Sequence, residues 1–383
     1  MNTAEVLDNV RLISERFAEA RKERQPRRYL DPADFAELRD AGFLLTGVPI
    51  AQGGLWAGVR ESTRAFCEIL RTLAHGDPSV ALVSSMHPAV LAFWLATPNV
   101  GSEHQAAWDA QIASHAQSAL DGHWWGTITS EPGSGGDIAR TKAAARPDDA
   151  GEGYRITGAK HFGSGSGITS FMITTALPDG EEQPDLFVLD VRDTPWDGST
   201  GMKLIAEWDG QGMIATQSHA MQFDGFPATR SAWPGNLLAL TVAAGPYVAC
   251  SFTAVIAGIV DAAIETAQRQ LRPRHAALRP YEQVEWTKAE QEAWLIAQAF
   301  EAMLRAVESG DQGLANALRG KTAIAELAES VLSRIAKVVG GGAFSRNSPF
   351  AFWYEDVRAL GFLRPPWGLA FDQLFMLSAI HAE

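Results

Sequence analysis

The chain has 383 residues, 46% of them apolar, a net charge of −13 and two cysteines. That length exceeds one ordinary hydrophobic core, so two or three packed subdomains are expected. The acidic balance opposes nucleic acid and anionic membranes as partners, and Cys67 and Cys250 have neither metal-ligand nor disulfide-framework spacing, so no metal site is predicted and a cytoplasmic location fits.

Within 1–28, Val6, Val10, Ile13 and Phe17 recur at helical spacing among charged residues. This predicts an amphipathic helix rather than a signal peptide. Asp31-Pro32-Ala33-Asp34 then offers an N-cap, a proline at the first helical position and an acid in the first turn, with Gly42 placed as a C-terminal cap. After a connector at Val48-Pro49 to Gly53-Gly54, helical spacing returns over 60–74 and 79–96.

The segment Trp124-Trp125-Gly126-Thr127-Ile128-Thr129-Ser130-Glu131-Pro132-Gly133-Ser134-Gly135-Gly136-Asp137 reads as a strand entering a polar, glycine-rich loop. Thr127, Thr129 and Ser130 lie at its exit, and Gly133, Gly135 and Gly136 allow a ligand close to the backbone. From about 122 to 226 the period is two, with strands at Tyr154-Arg155-Ile156-Thr157, Phe171-Met172-Ile173-Thr174, Leu186-Phe187-Val188-Leu189 and Ala220-Met221-Gln222-Phe223. Residues 231–260 carry no charge and are long enough to cross a bilayer. Gly245-Pro246, Thr241, Ser251 and Thr253 dilute that apolarity, so a helix buried in a bundle is expected instead. Helices follow over 243–270, 282–308 and 314–338; in the last, Ile324, Leu327, Val331, Ile335 and Val338 mark one buried face.

The glycine-rich segment resembles the Thr-Glu-Pro-Gly-Ala-Gly-Ser-Asp signature of the acyl-CoA dehydrogenase superfamily, with Ser130 for Thr and Gly136 for Ser. Gly158-Ala159-Lys160-His161-Phe162-Gly163-Ser164-Gly165 is similar to its Gly-x-Lys-x-Trp-Ile-Thr-Asn, and Gly212-Met213-Ile214-Ala215-Thr216-Gln217-Ser218 to its Gly-x-Arg-x-Ser-x-Thr, with Ile214 replacing Arg. The resemblance implies an α+β fold: an N-terminal helical domain (1–119), a middle β-barrel-like domain (120–232) and a C-terminal four-helix bundle (233–383). It further implies FAD, or FMN in a monooxygenase, contacted by Thr127, Thr129, Ser130, Gly135, Phe162 and Ser164. Gly136, Thr216 and Ser218 would face a small-molecule substrate such as an acyl-CoA. Arg274 fits the family's Arg-x-x-Phe-Gly, although Ala277-Leu278 replaces Phe-Gly and Glu285 the later Gln. Lys337, Gly340 and Gly341 stand in its Gln-x-x-Gly-Gly. These positions would serve a dinucleotide shared between subunits, which implies a homo-oligomer, a dimer or a tetramer.

A dehydrogenase of this family needs a carboxylate base. Without gaps its position falls on Arg364, which cannot accept a proton, and no Asp or Glu lies between Asp224 and Asp261. The remaining acid/base candidates are His161, His219 or a displaced carboxylate; Glu355 and Asp356 are nearby but would more naturally make salt bridges, and Asp372 would require a shifted helix. Three readings stay open: a flavoprotein oxidoreductase acting on an acyl-CoA or similar substrate, with an electron-transfer flavoprotein as partner; a monooxygenase supplied by a flavin reductase; and a non-catalytic subunit of a heteromeric dehydrogenase.

Overall fold

A computed structural model describes residues 1–148, 151, 153–310 and 313–378. The chain begins with helices α1 (Thr3–Glu19), α2 (Arg21–Arg24), α3 (Pro32–Asp40), α4 (Val59–Gly76), α5 (Pro78–Leu95) and α6 (Ser102–Leu120). Local chemistry sets their ends. The Asn2 side chain accepts from the Glu5 N–H while Glu5 reaches back to the Asn2 N–H, which closes a capping box on α1. Asp31 accepts from the Ala33 N–H ahead of Pro32, and Gly42 takes φ +87° just after α3, a conformation that glycine adopts without strain.

Among the described residues seven strands follow: β1 (Trp125–Thr127), β2 (Ala144–Pro147), β3 (Tyr154–Gly163), β4 (Phe171–Pro178), β5 (Asp185–Asp190), β6 (Met202–Ala206) and β7 (His219–Arg230). The pairings β4–β2, β2–β3, β3–β7, β7–β5 and β5–β4 return to their starting strand, so the sheet closes into a small barrel. Closure leaves few free edges. Ile156, Met172, Phe187, Leu189, Met221 and Phe223 fill its interior.

The chain then returns to helices α7 (Leu237–Leu271), α8 (Pro280–Ser309), α9 (Gly313–Val339), α10 (Phe350–Arg358) and α11 (Trp367–Met376). The helices α7 to α10 form a bundle, and α4 and α5 pack on α7, so both helical parts share one core. The uncharged stretch forms most of α7. It and α5 are long and apolar enough to cross a membrane, yet 83% of each apolar window is buried inside the fold.

The periodicity did not reveal α6, whose only buried residues are Trp108, Ala116 and Ala119, nor the short β2 and β6 or α10 and α11. The expected C-terminal domain ends on residues 379–383, which lie outside the described ones.

The α4–α7 crossing depends on Gly258, where an added Cβ would sit 2.2 Å from the Arg71 carbonyl oxygen and 2.9 Å from the Ala74 Cβ. Gly258→Ala gains about 1 kcal/mol of helix propensity but overpacks the crossing. The expected result is a net loss of about 1–2 kcal/mol in urea unfolding; a gain would show that the two helices have room to part.

Candidate active site

The strand exit is anchored by a buried ion pair. Beyond β1, the Ile128 N–H still bonds the Ile173 carbonyl at 2.9 Å, and the His161 N–H bonds the Ser130 carbonyl at 2.8 Å. Glu131 then turns inward. Its carboxylate accepts from the fully buried Lys160 ammonium at 2.5 Å, from the Lys142 N–H at 2.7 Å, from the Ala143 N–H at 3.1 Å and from the Thr141 hydroxyl. Lys160 also donates to Thr141 Oγ1 at 2.8 Å and to the Thr175 carbonyl at 2.6 Å, so all three of its donors are engaged. Burial pushes Glu131 upward, but the Lys160 ammonium, the Thr141 hydroxyl and the Lys142 N–H outweigh it and hold the carboxyl below its ordinary range. Burial pulls Lys160 down to about 8 against Glu131, which leaves both partners charged at neutral pH.

Arg364 closes the exit from the other side. Its Nη2 donates to Thr129 Oγ1 at 2.6 Å and to Ser130 Oγ at 3.4 Å, and its Nη1 to the Gly136 carbonyl at 3.0 Å. A Cβ on Gly136 would meet Pro366 at 2.8 Å, so the Arg364–Pro366 segment lies directly against the loop. Gly133, Gly135 and Gly136 all have positive φ, which explains the glycines. Burial pushes the guanidinium down to about 10, still a cation at neutral pH. Arg364 forms no ion pair with any described carboxylate. Glu355 pairs with Arg358 at 3.0 Å, and Asp372 is exposed on α11.

A second cluster joins β3 to the segment before β7. Ser164 Oγ lies 2.8 Å from Ser218 Oγ, which is 2.7 Å from Thr216 Oγ1; Thr216 in turn donates to the Met213 carbonyl at 2.8 Å. Thus Ser164, expected at the cofactor, adjoins Thr216 and Ser218, expected at the substrate. Asp356 on α10 holds this segment by accepting the Met213 N–H at 2.5 Å. The side chain of Phe162 is 56% exposed, and Trp208 meets it edge-on at 6.0 Å. The two histidines play unlike parts. His219 is buried, its Nδ1 accepts the Trp208 N–H at 2.9 Å, and burial holds its pKa low, which makes it a neutral structural group. His161 is half-buried next to Phe162.

The expected dinucleotide residues lie at the far end of α9. Arg274 donates to the Val338 carbonyl at 2.7 Å, which caps that helix. Lys337 pairs with Glu285 at 3.3 Å, and Glu285 also holds Arg334 at 3.0 Å. Added Cβ atoms at Gly340 and Gly341 would meet open space, so the backbone there is approachable. Away from these groups, a surface cleft of about 820 Å³ contains two ion-pair contacts, Arg71 with Asp261 at 2.5 Å and His75 with Glu265 at 2.9 Å.

Asp356, expected in a salt bridge, instead accepts the Met213 N–H; sequence reasoning missed Trp208 and the partnership of Glu131 with Lys160. The last had a signal: on β3, Lys160 has the same parity as the inward Ile156, and a lysine on a buried strand face requires a carboxylate.

No family model matches the chain. The amino sugar nitrososynthase DnmZ of Streptomyces peucetius is 30% identical over 252 residues, which are 60% of this chain and 59% of that protein. A dibenzothiophene monooxygenase of Mycolicibacterium goodii is 27% identical over 361 residues, 84% of this chain and 81% of its own length. KijD3, solved in complex with FMN and dTDP-3-amino-2,3,6-trideoxy-4-keto-3-methyl-D-glucose, matches 100% of this chain and 94% of its own, with a TM-score of 0.83 at 21% identity. The chain has the acyl-CoA dehydrogenase fold.

In this acyl-CoA dehydrogenase-fold chain, removing one partner of the buried pair strands the other. Lys160→Met is expected to cost about 3–5 kcal/mol in chemical denaturation, and adding Glu131→Gln to recover about half of that. A double variant no more stable than Lys160→Met would show that the carboxylate is not desolvated.

Burial raises Asp356 from 3.8 to about 7. Between those values the folded protein keeps a proton that the unfolded chain has released, so this group's contribution to stability falls as pH rises through that window. Asp356→Asn keeps an oxygen for the Met213 N–H without the charge. It is expected to match wild type near about pH 5 and to have the higher urea midpoint near about pH 8; equal midpoints at both would mean that no charge is buried there.

Proposed function

We propose that the chain is a flavin-dependent monooxygenase that takes reduced FMN and inserts oxygen at a nucleophilic sulfur or nitrogen of a small organic substrate. One observation carries this reading. Glu131, the inward-turned carboxylate of the motif, has both its oxygens engaged by Lys160, Thr141, Lys142 and Ala143, while Asp137 at the motif's end caps the Ala139 N–H. The group beside Thr129 and Ser130 is a guanidinium that donates only. A strand exit whose inward carboxylate is fully engaged and whose neighbouring group is a guanidinium is poorly suited to removing a proton α to a thioester, whereas oxygen chemistry at a heteroatom requires no such base. The names of the two relatives, one a nitrososynthase acting on an amino sugar and the other a monooxygenase acting on dibenzothiophene, support nitrogen and sulfur as the targets.

Reduced flavin, when bound, supplies the electrons that activate O₂. The chain's own residues hold and shield it. Thr129 and Ser130 offer hydroxyl donors to a polar ring edge, and Phe162 with Trp208 offers an aromatic wall. The backbone of Gly135 and Gly136 gives close approach for the substrate. FMN is favoured over the FAD implied by the sequence resemblance because Lys337, the cation placed to meet a dinucleotide phosphate, is paired with Glu285. A flavin reductase is the partner in this reading, and the compartment is the cytoplasm. Self-association is supported by exposed Phe344, Phe362 and Phe375, at 77%, 73% and 55%.

The test is an anaerobic titration with reduced FMN and reduced FAD, followed by exposure to ¹⁸O₂ with aryl sulfides and amines. One ¹⁸O in the product, with FMN bound about tenfold or more tighter than FAD, is expected. Anaerobic bleaching of bound oxidised flavin by a saturated acyl-CoA would overturn the proposal in favour of a dehydrogenase.

A further inference from the structure

The hydroxyls around the site fall into two classes. Ser164, Ser218 and Thr216 bond one another and end on the Met213 carbonyl, so their protons have protein acceptors. Thr129 and Ser130 differ. Both accept from Arg364 Nη2, and among the described residues no acceptor takes the proton of either hydroxyl. A hydroxyl has one proton and two lone pairs, while a guanidinium has donors alone. Each O–H therefore points away from Arg364 and toward whatever lies beyond the strand exit.

Charge follows the same pattern. Among the described residues two cations stand behind the exit, Lys160 and Arg364; Glu131 is bound to Lys160. Arg364 bonds neutral oxygens alone, Thr129, Ser130 and the Gly136 carbonyl, while the Asp137 carboxylate acts on it through space without bonding it. We infer that Arg364 is a positioning residue that turns the Thr129 and Ser130 hydroxyl protons outward and gives the site its preference for the anionic, reduced form of flavin over the neutral, oxidised form. This rests on the flavin reading proposed above and adds to it the residue that sets the preference.

The electron balance is simple. Two electrons and one proton convert neutral oxidised flavin into its reduced monoanion, with dithionite as reductant in the test and a flavin reductase in the cell. A flavin anion bound at this exit would sit beside the Arg364 cation, and at an effective dielectric of about 20 such a charge within about 4–8 Å would favour the anion by more than about tenfold. The neutral form receives the same hydrogen bonds without that attraction.

A purely structural role would leave a different trace, since Arg364 also ties the Gly136 carbonyl and its loss would loosen the loop for both redox states alike. The experiment measures the Kd of oxidised and of dithionite-reduced FMN, anaerobically, for wild type, Arg364→Gln and Arg364→Lys, with circular dichroism to check folding. Arg364→Gln is expected to weaken reduced FMN by at least about tenfold more than oxidised FMN, lowering the midpoint potential of the bound flavin by about 30 mV or more. Arg364→Lys, which keeps the charge, is expected to restore the ratio of the two constants to within about threefold of wild type. Equal losses for both forms, or none, would overturn the inference and leave the flavin reading standing. Wild-type protein that binds neither form would overturn that reading, and this inference with it.

Discussion

The buried pair between Glu131 and Lys160 is the constraint on which the rest of the site depends. A turn as rich in glycine as Gly133 to Gly136 has little of its own to hold it in one shape, because glycine loses more conformational freedom on ordering than any other residue. Glu131 supplies what the loop lacks by gathering the Lys142 and Ala143 N–H groups, the Thr141 hydroxyl and the Lys160 ammonium on one carboxylate. Those donors come from the return of the loop into β2 and from the far end of β3. One side chain thereby fixes three backbone segments at the exit of β1. Isolated, neither charge belongs inside a protein; together, with every donor and lone pair answered, they form an inner clasp.

That clasp has an electrostatic consequence. By neutralising Lys160 it leaves Arg364 bonded to neutral oxygens, with Asp137 acting on it through space, although the two cations are close enough for Arg364 to depress the Lys160 pKa. The polarity of the exit thus follows from a count of charges in a small volume as much as from any single hydrogen bond.

The broad architecture was legible in the sequence because it rests on repeating patterns. A period of two over Tyr154 to Phe223 and periods of three and four over the long helices report which face is buried, and burial decides the layers. The strand exit was legible for another reason: its glycines and hydroxyls are local chemistry, readable without knowing what lies across from them. Closure of the barrel was expected through the family resemblance alone, since β4 must pair with both β2 and β5 and no local signal specifies that. The same limit explains the histidines. His219 beside a glycine-rich motif looks like an acid or base until Trp208, eleven residues earlier, is found donating its N–H to the ring. Lys337 likewise looks free for a phosphate until Glu285 arrives from α8.

Arg364 is where local and distant information meet. Its position in the sequence says only that a proton acceptor has been replaced by a donor. The fold says what the replacement does: the same segment that would carry a carboxylate toward the exit instead carries a cation that locks the loop through the Gly136 carbonyl and turns two hydroxyls outward. A carboxylate there would compete with Glu131 for Lys160 and would accept protons from Thr129 and Ser130, reversing both the charge and the hydrogen-bond direction of the exit. The change from base to guanidinium is therefore a change in which ligands and which redox states the exit can hold, and a scaffold that keeps its helices, barrel and glycine loop can move from proton abstraction to oxygen chemistry through that one inversion of polarity.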